Sequence, residues 1–304
     1  MYDVIIVGGG PAGLSAALVL GRCRRKVLLL DNGHPRNAVS HALHGFLSRD
    51  GIPPAELRRI GREQLAKYES VKLVGATVTE ATRTGSRFAV RTSDGRRFTS
   101  RKLLIATGVR DMLPEIAGFR DLFGIAVFHC PYCDGWEVRD QPLAIYGRGD
   151  QKGGGLALEL TQWSRDVVLC TDGPSEISAE YRERLVRCNI SIREERILRL
   201  EATSGPPYET PFDIVFEHGA RLTRRALFFN TGRRQASNLA EQLGCEMYEE
   251  AGCKVDNQYQ ATSVPGLYVA GDASRDVLQA IVAAAEGAGA AMAMNTALLK
   301  EDLP

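Results

Sequence analysis

A hydrophobic strand that runs straight into a glycine-rich turn and then a helix occurs twice in this chain, and that repetition restricts its fold more than any other feature. The first copy covers residues 3–31, as DVIIV, GGGPAG, LSAALVLGRC and KVLLLD. The second covers residues 143–172, as LAIY, GRGDQKGGG, LALELTQWS and DVVLCTD. Unbroken apolar strands separated by helical segments mark a parallel sheet covered on both faces, the Rossmann unit. Repetition on this scale is duplication of a nucleotide-fold module, not a short solenoid period.

Between the copies, VKLVGATVTEATRTGSRFAVRTSDGRRFTSRKLLIATG alternates β-rich runs with turn signals such as Asp94-Gly95. It reads as an antiparallel meander that returns to the sheet at Leu103–Ala106. ILRLEATSG and FDIVFEHGARLTRRALFFNTG repeat that arrangement after the second copy. GLYVAGDAS and a helix over Val277–Leu299, rich in small residues, then close the first module. The order predicts an α/β fold of two Rossmann-like three-layer dinucleotide-binding domains, each with a β-meander, the second inserted into the first. The expected boundaries are 1–117 with 243–304 for the first domain and 118–242 for the second.

Composition narrows the partners. Thirty-eight basic against 37 acidic residues leave a net charge of +1, so no long-range field calls for nucleic acid or an anionic membrane. The first strand candidate, Val4–Val7, starts too near Met1 for a signal peptide, and no apolar run is expected to span a membrane. Both point to the cytoplasm. Seven scattered cysteines do not make the disulfide framework of a small secreted domain. Cys23, Cys170, Cys188, Cys245 and Cys253 read as small buried or half-buried hydrophobes.

Within the first copy, Gly8-x-Gly10-x-x-Gly13 follows a strand and opens a helix that begins with Pro11 and Ala12. Such glycines give a tight turn, close approach of the backbone to a pyrophosphate, and close helix–sheet packing, with the helix N-terminus facing the phosphates. Asp31 ends the second strand about 20 residues on, where a carboxylate accepts hydrogen bonds from ribose hydroxyls. The pattern binds a dinucleotide, and by itself it does not choose between FAD and NAD.

Cys130-Pro131-Tyr132-Cys133-Asp134-Gly135 carries a second piece of chemistry. A zinc site would need another Cys or His pair at matching spacing, which neither the other cysteines nor His218 supply, so no metal is expected. A redox dithiol fits, because two intervening residues let both sulfurs meet within one helical turn. Pro131 suits the first helical position and leaves Cys130 as the cap. Its sulfur then lies at the positive helix end, where the thiolate is favoured.

VIIVGGGPAG, LLIATG, CPYCDG and VAGDAS with LQA, in that order along nearly the whole chain, resemble the low-molecular-weight thioredoxin reductases of the two-dinucleotide-domain flavoprotein family. The resemblance implies that the first domain binds FAD and that the second is NAD(P)H-binding-like and carries the Cys pair. It places Gly8, Gly10, Pro11, Ala12, Gly13 and Asp31 on the ADP half of FAD, with Thr107 and Gly108 lining the same site. Gly271 and Asp272 would hold the ribityl or phosphate side, and Gln279 with Ala280 would present backbone amide to the isoalloxazine. Arg36, Asn37 and the stretch His41–Phe46, including His44, fall where the family contacts the ring system. Cys133 corresponds to the flavin-proximal sulfur and Cys130 to the one that attacks the partner disulfide. Asp134 corresponds to the acid that serves the exchanging thiols. A thioredoxin-like protein or small disulfide is the implied partner, and a homodimer the implied assembly. Tyr132 and Trp136 depart from the residues usual in the family, and His129 precedes the pair.

The second glycine turn departs further. Gly147 and Gly149 are present, but the third small position is Lys152, whose bulk would stand where the helix packs or the pyrophosphate approaches, unless Gly153 takes over. After the next strand come Thr171, Asp172, Gly173 and Pro174, with no arginine until Arg182 to clamp a 2'-phosphate. Leu278 replaces the family's arginine before Gln-Ala. NADPH is therefore disfavoured, NADH stays open through Asp172, and reduced ferredoxin is a further candidate donor. Three functions fit: an FAD-dependent disulfide reductase of this kind, an oxygen-dependent dithiol oxidase running the other way, and a flavin-binding sensor without turnover.

Overall fold

The computed structural model describes residues 1–249, 252–256, 258–274 and 277–304. These form two compact units, one of residues 1–38, 45–110 and 233–304, the other of residues 39–44 and 111–232. The chain therefore crosses between units before the expected 117/118 and 242/243 boundaries. Leu113 and Ile116 pack on the second unit's core and Ala117 pairs with Arg199 there, whereas Leu239 and Ala240 are buried in the core of the first. Residues 39–44 also join the second unit, with Val39 against Gly124.

The first unit is a seven-stranded sheet in the order Val71–Gly75, Val27–Asp31, Tyr2–Val7, Arg97–Ile105, Arg87–Thr92, Val78–Thr84, with Leu267–Val269 also on Arg97–Ile105. The long strand Arg97–Ile105 serves two sheets' worth of pairing. Its first half closes the antiparallel meander through Phe88–Ser100 and Val90–Phe98, and its second half runs parallel to Leu267–Val269 through Leu103, Leu104 and Ile105. Alternation along Tyr2–Val7 divides the core: Val4 and Ile6 face one layer, Ile5 and Val7 the other. On the first face lie helix Pro11–Arg22 and the closing helix Ala280–Asp302, through Ala16, Leu20, Ala290 and Met294. On the second lie the meander residues Phe88 and Val90 with Leu239 and Cys253.

The closing helix starts three residues later than Val277 and ends at Asp302. Its 23 residues and mean hydropathy of 1.2 meet the length and composition of a membrane span, contrary to the expectation that no run approaches one. Ala283, Ala290, Ala291, Met294 and Leu298 are nonetheless buried in the core of the first unit, which accounts for the apolar composition. Gly287 is buried too, and any side chain there would collide with the Ala12 carbonyl.

The second unit holds a five-stranded parallel sheet in the order Ser191–Arg193, Val167–Cys170, Leu143–Tyr146, Ala226–Phe229, Val127–Phe128. A three-stranded antiparallel meander, Ile197–Ala202, Phe212–Phe216 and Leu222–Arg224, packs beside it through Ile197, Leu200, Phe212 and Ile214. The cysteines outside the Cys-x-x-Cys box divide. Cys170, Cys245 and Cys253 are buried as read from the sequence, but Cys23 and Cys188 are exposed, because each sits at the C-terminal cap of a helix between exposed neighbours.

Candidate active site

Each glycine of the first turn has a separate task. Gly8 has φ +109, and a side chain would strike the Ala106 backbone; a side chain on Gly13 would strike the Gly8 carbonyl. Gly10 is different, since a Cβ there meets nothing within 4 Å. It opens helix Pro11–Arg22, whose start is capped by no side chain, so the first-turn amides of Ala12 and Gly13 are presented toward open space. Asp31 is buried at the strand end, accepting from Gly9 N–H (3.1 Å) and Arg62 Nη2 (2.6 Å). An ionised carboxylate has further lone pairs, so ribose hydroxyls remain possible donors.

The other flavin candidates lie in the same unit. Gly108 has φ +70 and open space beside it, and Thr107 Oγ1 lies 3.0 Å from Ser237 Oγ. Asn37 is half-buried in the short turn Arg36–Val39, where Arg36 Nη1 reaches Asp272 Oδ2 at 3.2 Å. Gly271 takes φ +75 with Ala12 and Ala283 pressed against it, and its N–H donates to Glu286 Oε2 at 2.8 Å. Ser274 Oγ donates to the Gly271 carbonyl at 2.9 Å and lies 3.3 Å from Glu286 Oε2. Gln279 is the extended N-cap of the closing helix, with Ala280 its first residue and no side-chain cap. A phosphate-ready helix end, a buried acid at the ribose position, a fixed Asp272 turn and a second open helix start together fit FAD. Glu286 and Arg62 escaped the sequence reading. A lone acid inside VAAAEGAGAA was the available signal for Glu286.

In the second unit the turn contains one residue more than in the first, and the structure absorbs it as a π-helical stretch, Gly149–Gly155. Gly153, not Lys152, then faces Gly147: a Cβ on Gly153 would lie 2.9 Å from the Gly147 carbonyl oxygen. The anticipated clash of Lys152 with the helix is thus avoided. Asp172 also differs from expectation. Its Oδ1 accepts from Ile197 N–H (2.7 Å) and its Oδ2 lies 3.4 Å from Tyr146 OH, so the carboxylate serves the sheet-to-meander junction. Arg148 folds onto the same strand end, donating to the carbonyls of Thr171 and Asp172.

The dithiol is closed as a disulfide, Cys130–Cys133, with Cα atoms 5.3 Å apart. Cys130 is the extended N-cap and Pro131 the first residue of a single turn, Pro131–Asp134; Cys133 and Asp134 both donate to the Cys130 carbonyl. Burial pushes the Asp134 carboxyl up to about 7, the nearby Glu137 charge adds to the rise, and His44 opposes it. His44 Nε2 lies 3.4 Å from Glu137 Oε1, both within the second unit. Tyr132 and Trp136 are 68% and 65% exposed; the Tyr132 ring meets Trp163 edge-on at 5.6 Å, and Arg139 lies 4.0 Å over the Trp136 ring. A disulfide beside an acid that titrates near neutrality is equipped for thiol–disulfide exchange.

Comparison with known proteins agrees with this geometry. Residues 2–288 match the family model described as pyridine nucleotide-disulphide oxidoreductase. A probable thioredoxin reductase of Arthroderma benhamiae is 33% identical over 90% of this chain and 74% of its own length. The thioredoxin reductase tcpT of Claviceps purpurea is 30% identical over 90% of this chain and 86% of its own. The crystal structure of the putative thioredoxin reductase TrxB from Bacillus anthracis superposes with a TM-score of 0.91 at 34% identity, covering 100% of both chains. The chain belongs to the pyridine nucleotide-disulphide oxidoreductase family and is a thioredoxin reductase-like, FAD-dependent disulfide oxidoreductase.

Proposed function

We propose that the protein moves two electrons and two protons between FAD at the Gly8–Gly13 turn, the Cys130–Cys133 disulfide, and a thioredoxin-like protein or small disulfide. FAD, when bound, supplies the two-electron redox step. Cys130 attacks the partner's sulfur, Cys133 is the sulfur reduced by the flavin, and Asp134 protonates the departing thiolate or deprotonates the incoming thiol. The observation that carries this reading is the Asp134 carboxyl raised to about 7 next to the disulfide, because such a group both gives and takes a proton at neutral pH. The names of the relatives support thioredoxin as the partner class. A homodimer is the assembly implied by resemblance.

The donor is the finer part of the proposal. Residues 171–174 carry no cation for a 2'-phosphate, which argues against NADPH, although Arg148 reaches the same strand end; the Asp172 carboxylate keeps lone pairs beyond its bonds to Ile197 and Tyr146, so NADH stays open. Reduced ferredoxin is the proposed alternative. Anaerobic titration with NADPH, NADH and reduced ferredoxin, followed by flavin absorbance, tests this; complete bleaching by micromolar NADPH would defeat it. The absence of an arginine clamp at residues 171–174 also motivates a second reading, an oxidase that makes disulfides and passes electrons to oxygen. Peroxide release when dithiols are added under air would decide for the oxidase.

A further inference from the structure

Two cysteines that the exchange chemistry leaves unused lie together in the first unit. The short helix Leu239–Gln242 ends in a Schellman closure: Gly244, at φ +78, donates to the Glu241 carbonyl, and Cys245 N–H donates to Ala240 O at 3.0 Å. That closure turns Cys245 into the core beside Leu239 and Ala240. The chain then doubles back, with Lys254 N–H on Glu246 O (2.8 Å), Tyr248 N–H on Gly252 O (2.9 Å), and Met247 paired antiparallel with Cys253. Cys245 stands two residues before Met247, on the same face, and is therefore the diagonal neighbour of Cys253. The Cys253 thiol donates to the Lys254 carbonyl at 3.7 Å. Cys253 is fully buried, while Cys245 is 8% exposed beneath the exposed residues Gly244 and Glu246.

We propose that Cys245 and Cys253 are a second redox pair, closed to a disulfide by a hydroperoxide and reopened by a dithiol. Cys245 is the less buried of the two, 8% exposed against none for Cys253, and is therefore the sulfur a hydroperoxide reaches first and the nucleophile. Its thiolate attacks the peroxide, the O–O bond breaks, the leaving alkoxide or hydroxide takes a proton, and Cys245 becomes a sulfenic acid. Cys253 then attacks that sulfur, the S–O bond breaks, and water leaves with the Cys253 proton. In sum, two thiols and one hydroperoxide give one disulfide, one alcohol or water, and one water.

The pair is tied to the flavin turn. Cys253 N–H donates to Ala273 O at 2.8 Å, and Gly252 lies against the Ser274 carbonyl; Ala273 and Ser274 directly follow Asp272. Diagonal strand neighbours stand about 7–8 Å apart at Cα, against about 5.5–6 Å in a disulfide, so closure draws Cys253 toward Cys245. The strain falls on the Ala273 hydrogen bond and loosens FAD, a consequence that rests on the FAD reading above.

The test is disulfide mapping by mass spectrometry on the native holoenzyme after hydrogen peroxide, with free thiols blocked by alkylation under denaturing conditions. A Cys245–Cys253-linked peptide pair that dithiothreitol abolishes is expected, and in Cys253→Ser a dimedone-reactive sulfenic acid should persist on Cys245. Full alkylation of both thiols after peroxide, or irreversible oxidation of Cys245 without the link, overturns the proposal. The linked enzyme should release FAD about tenfold faster than the reduced enzyme, the effect of losing one hydrogen bond. Formation of the link with unchanged FAD release keeps the pair and removes its coupling to the flavin turn. A linked but flavinless protein would instead sink the FAD reading and leave the pair standing.

Discussion

The Glu137 carboxylate lies 3.4 Å from the His44 imidazole, and these two residues pull the Asp134 carboxyl in opposite directions. Burial raises Asp134 most, Glu137 adds to it, His44 subtracts, and the group comes to rest at about 7. Reduction of a partner disulfide uses the acid form, so its rate should fall as pH rises through 7. Oxidation of a dithiol uses the carboxylate, so its rate should rise over the same interval. Asp134→Asn should erase the inflection and slow exchange by roughly 10²-fold. Glu137→Gln should move the inflection down and His44→Asn should move it up. A pH–rate profile of single-turnover exchange measures all of these, and an inflection near 7 that survives Asp134→Asn would remove the assignment.

The same carboxyl affects stability. Its folded value lies above the unfolded one, so its contribution is full below the ordinary carboxylate range and is lost as pH rises through 7. Thermal unfolding of wild type should therefore weaken between about pH 4 and 7 relative to Asp134→Asn.

Gly10 and Gly13 separate binding from folding. Gly13→Ala forces a methyl against the Gly8 carbonyl and should destabilise the apoprotein by about 1–3 kcal/mol. Gly10→Ala meets nothing within 4 Å and has an ordinary backbone, φ −76 and ψ −174, so the apoprotein should melt as wild type does. Its methyl nevertheless enters the space where the pyrophosphate approaches, and FAD affinity should fall. Apoprotein melting and flavin fluorescence titration read the two effects independently.

Glu286 should matter through the turn it holds. Glu286→Ala deprives the Gly271 N–H of its acceptor, at a cost of about 1–3 kcal/mol, and should loosen FAD with it. Glu286→Gln keeps an acceptor oxygen and should lose less. Equal stability of the two variants would show that the carboxylate does not hold the turn.

How legible each part was in the sequence followed its range along the chain. The Rossmann copies, the Gly8–Gly13 turn with Asp31, and the Cys130–Cys133 box are contiguous patterns whose spacing is itself the geometry. Glu286 bonds Gly271 across a loop, and His44 meets Glu137 from a distant segment, so neither contact leaves a local pattern. Spacing alone left the third small position open between Lys152 and Gly153. The chain takes a π-helical turn there, and Gly153 slides into the contact. Cys245 and Cys253 read as bland core residues because their meeting depends on the register set by Met247 and Cys253.

NADPH should reduce the enzyme poorly. Each charge-assisted contact to a phosphate contributes roughly 1.5–3 kcal/mol, so two missing arginines weaken NADPH by about two to four orders of magnitude. Arginine placed at Thr171 or Gly173 should not rescue it fully, because Asp172 remains in the sheet-to-meander junction. Stopped-flow reduction by NADPH over a concentration series gives the affinity directly.

The central claim is that electrons pass between FAD and the Cys130–Cys133 pair. Anaerobic titration of the purified flavoprotein with dithiothreitol, followed by flavin absorbance in wild type and in Cys133→Ser, tests it most directly. The expected result is a yellow protein whose flavin bleaches as the disulfide is reduced, with bleaching lost in Cys133→Ser. A colourless wild-type protein, a wild-type flavin that stays oxidised after the disulfide has opened, or equal bleaching in Cys133→Ser would contradict it.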